Sequence, residues 1–120
     1  MIDPPIVDWE DVAFDRAAAR EAARACRRLA RLLDRVATWH HGSTSALLDT
    51  WQGNLAVLFA NEDRILVEHM AVAADDLLRC ASGLDEAAEA AGEEQARRER
   101  GREDWWAWDA RRHDARRVAG

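Results

Sequence analysis

The sequence predicts an all-α protein: an antiparallel helical hairpin that dimerises into a four-helix bundle. Three observations lead there. Apolar and small residues recur at steps of three and four over two long stretches, which is helical spacing and not strand alternation. Both Pro residues, Pro4 and Pro5, sit at the start, so neither stretch is interrupted by a helix breaker. Between the stretches lies Trp51-Gln52-Gly53, where Gly53 can adopt the backbone angles of a tight reversal and Trp51 can close the end of an apolar seam.

The elements follow in order. Residues 1–7 read as an extended lead because of Pro4 and Pro5. Asp8 is a good N-cap, and Glu10 and Asp11 suit the positive end of a helix, so helix 1 is expected over about 8–49. Its apolar series includes Cys26, Leu29, Leu32, Leu33, Val36, Trp39 and Leu47, and a row of Arg from Arg16 to Arg35 faces the other way. Gly42 weakens the helix by about 1 kcal/mol relative to Ala. The period passes through it nonetheless, and a continuous helix is expected. A turn at 50–54 leads to helix 2, about 54–98, with the apolar series Leu55, Leu58, Phe59, Leu66, Leu77, Cys80 and Leu84. The hairpin as a whole spans 8–100. Beyond Ala91 the apolar pattern fails, so residues 101–120 read as a flexible or partly helical tail containing Trp105, Trp106 and Trp108. Helices joined by a short turn pack antiparallel, and stripes this wide leave residues such as Leu58 and Leu66 wet in a lone hairpin. A second hairpin is therefore expected to cover them.

Composition narrows the function. The 120 residues suffice for one small domain. The net charge of −6 disfavours nucleic acid, whose phosphates an acidic body repels. No apolar run approaches the ~20 residues of a membrane-spanning helix, and Met1-Ile2-Asp3-Pro4-Pro5 does not begin a cleaved secretory signal. Catalysis is not expected: there is no phosphate-binding Gly-rich loop and no Gly-x-Ser-x-Gly elbow. The four His do not cluster along the chain and match no zinc or di-iron spacing, so neither metal nor cofactor is expected. His69 reads as a core-edge residue, and Asp76 as a carboxylate that pairs with an Arg across an interface.

A helical arm, then Trp51-x-Gly53, then a second arm with Phe59 eight residues after the Trp, resembles the WXG-hundred family. These are the early-secreted-antigen-like substrates of type VII secretion. Leu77 and Leu84 continue the expected apolar line, and the resemblance covers roughly Asp8 to Gly92. It implies a dimer with itself or with a paralogous hairpin. It also implies export from the cytoplasm without a cleavable signal. In the family the export signal is composite, a Trp-x-Gly turn plus a tail motif of Tyr-x-x-x-Asp/Glu read by the system's membrane ATPase. This chain has no Tyr; Trp105 and Asp109 have the motif's spacing, with Trp in place of Tyr. The runner-up is a cytosolic helical adaptor that pairs with a larger secreted toxin.

Cys26 and Cys80 stand at nearly equal chain distance from Gln52, each about 40 Å from the turn along its helix. Both fall on the stripe expected to face inward. An interhelical disulfide and a pair of buried free thiols are the two readings of this placement.

Overall fold

The computed structural model describes residues 3–119 and contains two helices among them, α1 (Arg16–Leu48) and α2 (Asn54–Ala119). Met1, Ile2 and Gly120, the ends of the expected lead and tail, lie outside the described residues. The chain divides into two compact units. One is Ala18–Asp85; the other joins Met1–Ala17 to Glu86–Gly120.

The unit Ala18–Asp85 is the helical hairpin. α1 runs unbroken through Gly42 and ends at Leu48. The chain then reverses through backbone bonds from Asp49 N–H to Ser45 O (3.1 Å) and Trp51 N–H to Leu48 O (3.2 Å). Gly53 has φ of +98°, a conformation that L side chains resist, and its carbonyl accepts from Val57 N–H at 3.2 Å. It therefore both turns the chain and caps α2.

Alanine forms the seam between the two arms. Ala19, Ala23 and Ala30 are buried on α1, and Ala74 and Ala81 on α2. Ala30 and Ala74 lie the same number of residues from Gln52, as do Ala23 and Ala81, which places each pair at one height in an antiparallel hairpin. Between the alanines the half-buried positions alternate at steps of three and four: Cys26, Leu33 and Ala37 on α1, Val67, Met70 and Leu77 on α2. That 3.5-residue period is the spacing of a coiled-coil seam.

The expected inward stripe is thus displaced by about one residue. Leu29, Leu32, Val36 and Leu47, read as interface or core, are exposed in the single hairpin, as are Leu55, Leu58, Phe59 and Leu66. Leu33, Leu77 and Leu84 keep half-buried positions. The reason is volume. Two helices whose facing residues are methyl groups approach more closely than two lined with Leu, and the bulky rows then flank the contact instead of filling it.

The second unit corrects both ends of the expected hairpin. Helix 1 begins at Arg16, not near Asp8; Asp15, directly before it, is of the N-capping type. Residues 3–15 are a non-helical strap laid along α2. Arg98 donates to the carbonyl of Glu10 (3.0 Å), and Arg102 to those of Asp8 (3.1 Å) and Glu10 (2.9 Å). Those carbonyls would be consumed inside a helix. At the other end, α2 does not stop near residue 98 but continues to Ala119. Its half-buried positions keep the same period through Gln95, Arg98, Arg102, Trp105 and Asp109, so the tail has something to bury against after all: the strap.

The fully buried alanine positions of the seam leave little room for a larger side chain. Replacing Ala81, which is fully buried, with Leu is expected to destabilise the protein by about 1–3 kcal/mol through overpacking. The same change at exposed Ala73, on the same helix, is expected to alter stability by no more than ~0.5 kcal/mol. Urea denaturation followed by far-ultraviolet circular dichroism distinguishes the two.

Candidate functional site

In the hairpin the site begins at the turn. The Trp51 ring meets Phe59 edge-on, centroids 5.3 Å apart at 84°, so the two aromatics of the turn region form one contact. Beside them an open groove of about 410 Å³ is lined by Trp39, Ser43 and Leu47 from α1 and Phe59, Glu62 and Leu66 from α2. One face of the hairpin therefore gathers large apolar side chains from both arms, and Trp39 in its lining is 70% exposed. Leu58, at 54% exposure, and Val72, at 58%, add further wet apolar surface on α2.

Cys80 also departs from its expected place. Both thiols are free; Cys26 is half-buried, and Cys80 is exposed rather than inward. Ala81, one residue on, takes the seam position, and a step of one residue turns a side chain by about 100° around the helix. The disulfide reading therefore does not hold. His69 is exposed as well, and Asp76 pairs with Arg79 one turn along the same helix.

Two residues of the groove lining, His40 and Asp63, belong with His41 to a cluster absent from the sequence-based expectations. Asp63 is 5% exposed, and its two oxygens each accept from a different imidazole: Oδ1 from His40 Nδ1 and Oδ2 from His41 Nδ1, both at 2.7 Å. The hydrogen bonds, that from His41 foremost, hold the Asp63 carboxyl below its usual 3.8 despite burial, which pushes it upward. A buried carboxylate needs such partners, and this one ties α2 to two consecutive residues of α1. One signal was present in the sequence: His40, His41 and Asp63 lie at almost equal distances from Gln52.

The second unit holds the other expected site residues. Trp105 touches Trp9 (5.5 Å), Trp106 (4.9 Å) and Trp108 (6.1 Å), and Trp9 also meets Trp106 at 5.9 Å. Asp109 accepts from Arg112 at 2.8 Å, with His113 at 3.5 Å. The Arg112 guanidinium in turn lies over the Trp108 ring at 4.9 Å. Trp105 and Asp109 thus share one side of α2, one turn apart, and both are engaged within the unit. The residues that sequence reasoning missed here are Trp9, Gln95, Arg98 and Arg102. Gln95 accepts from Val12 N–H at 2.8 Å and donates to Asp11 at 2.9 Å.

Among the described residues no group of three His, Cys, Asp or Glu side chains is placed to hold a metal ion, and no helix is long and apolar enough to cross a membrane. No protein-family model, curated protein or solved structure matches this chain.

Because its folded-state carboxyl is held below 3.8, Asp63 contributes stability that is complete above that value and is lost as pH falls from there through the lowered one. Replacing Asp63 with Asn is expected to lower stability at neutral pH and to flatten the acid limb. Urea midpoints of the two proteins from about pH 5 down to about pH 2 test this.

Proposed function

We propose that this chain is an exported helical hairpin of the type VII secretion class, or the pairing partner of one, acting without catalysis as half of a four-helix bundle. One observation carries the reading: the hairpin spends its alanines on its own seam and leaves its bulky apolar residues on an open face. The buried alanines of that seam contribute only a few kcal/mol between them, at about 0.8 kcal/mol per methyl-sized group. Large exposed apolar faces rimmed by charge are covered by partners. A second hairpin, identical or paralogous, presents the matching surface, and the Leu32, Trp39, Phe59 and Leu66 rows supply the contact.

The turn supports the secretion half of the reading. Trp51, Gly53 and Phe59 have the order of the WXG-hundred turn, and the Trp51–Phe59 contact forms a compact aromatic knob at the hairpin's tip. Trp105 and Asp109 would be the aromatic and acidic members of a tail signal read by the secretion system's membrane ATPase. A second reading has its own support. Because Trp105 is packed against Trp9 and Asp109 is bound to Arg112, a cytosolic adaptor whose exported partner brings the signal is the alternative.

Native mass spectrometry is expected to give twice the chain's 13.5 kDa for the homodimer, or the sum of the two chain masses when a paralogous hairpin takes the place of the second copy. The double substitution Leu32→Asp with Phe59→Asp should weaken the assembly by at least about 2 kcal/mol, roughly 30-fold in Kd, with helicity kept. A chain that stays monomeric at high concentration, both alone and when co-expressed with a paralogous hairpin, would sink the bundle. Trp51→Ala is expected to abolish appearance of the folded chain in the culture medium of a type VII-competent host; unchanged export would remove the secretion reading.

A further inference from the structure

We propose that the strap, residues 3–15, is a displaceable cover that masks Trp105 and keeps the tail of α2 closed until an acidic, aromatic-bearing segment takes its place. The inference rests on the reading of Trp105 and Asp109 as an element that a partner recognises.

The strap is fastened at four points along one line of α2. Gln95 holds the Val12 amide and the Asp11 carboxylate. Arg98 grips the Glu10 carbonyl and pairs with Asp8 at 3.3 Å. Arg102 donates to the Asp8 and Glu10 carbonyls and to Asp11 at 2.9 Å. The last fastening is aromatic: Trp9 meets Trp105 and Trp106 edge-on. Gln95, Arg98, Arg102 and Trp105 follow the 3.5-residue period, so the strap occupies the position a packed helix would take on that side of α2.

The chemistry of this seat is specific. The strap is acidic, with Asp3, Asp8, Glu10, Asp11 and Asp15, and although acids match arginines in number along this stretch of α2, the cations that reach the strap are Arg98 and Arg102. Attraction between them is therefore electrostatic and weakened by salt. The cover is also peelable. Trp9 remains 52% exposed, and the side chains of Asp8 and Asp11 that meet the arginines are largely in water. The strap forms no helix or strand of its own, so releasing it breaks no regular structure. Whatever displaces it must satisfy the same arginines and place a ring on Trp105.

Substitutions confined to the strap test this while leaving the α2 sequence intact. In the full chain, Trp9→Ala with Asp11→Asn is expected to speed amide hydrogen exchange across 101–112 by at least about tenfold, with total helicity unchanged by circular dichroism. A synthetic peptide of residues 3–15 added in trans should slow it again, and the same peptide with Trp9→Ala should not. Val12→Pro, which removes the amide held by Gln95, is a second and independent opening. Export of both opened chains should exceed that of the intact one. Exchange unchanged in both variants would show that the strap covers nothing. Faster exchange without faster export would show that the cover gates nothing. Should Trp105→Ala with Asp109→Asn leave export of the intact chain untouched, the tail is not a recognised element, and the exchange and peptide results still decide whether it is covered.

Discussion

The distance between α1 and α2 governs the hairpin, and alanine sets it. With methyl groups at Ala23, Ala30, Ala74 and Ala81, the fully buried points of the seam are small, and the bulkier seam residues such as Leu33, Met70 and Leu77 are only half-buried between them. Leu32, Trp39, Phe59 and Leu66 are consequently pushed to one side, where they form a face instead of a core. A seam lined with Leu would have used the same residues inwardly and left little to offer a partner. The association proposed for the chain is in this sense a by-product of how small its inner residues are. Where the seam does admit a polar group, at Asp63, two imidazoles satisfy it.

The strap obeys a different logic. It has no periodicity and no regular hydrogen-bond ladder, and its attachments are guanidinium groups reaching for backbone carbonyls. Such contacts are strong in direction and modest in net worth, because each partner is well hydrated when released. That combination holds a segment in register without sealing it. Trp9 adds an aromatic contact that water cannot replace.

Much of the architecture was legible in the residues. The long helical stretches and the reversal at Trp51-Gln52-Gly53 follow from periodicity and from glycine's freedom, and Gly53 does adopt a positive φ. The inward stripe was not legible, because a pattern drawn through the largest apolar residues assumes that size marks the interior. Here Ala81 is buried while Leu78 and Cys80 are exposed, and alanine alone reads as either helix filler or core. The start of α1 was also hidden. Asp8, Glu10 and Asp11 have the composition of a helix start, but their carbonyls and carboxylates are claimed by Arg98 and Arg102, partners more than eighty residues away in sequence. For the same reason the expected tail motif could be placed from spacing, whereas the contact of Trp105 with Trp9 could not.

The distribution of indoles has a practical consequence. Trp9, Trp105, Trp106 and Trp108 belong to the strap unit, and only Trp39 and Trp51 to the hairpin. Intrinsic fluorescence of this protein is therefore dominated by one unit, while ellipticity at about 222 nm samples all of α1 and α2. Melting curves from the two signals need not coincide. A gap between them would report strap release ahead of the hairpin's own loss, and not a misfolded or heterogeneous preparation.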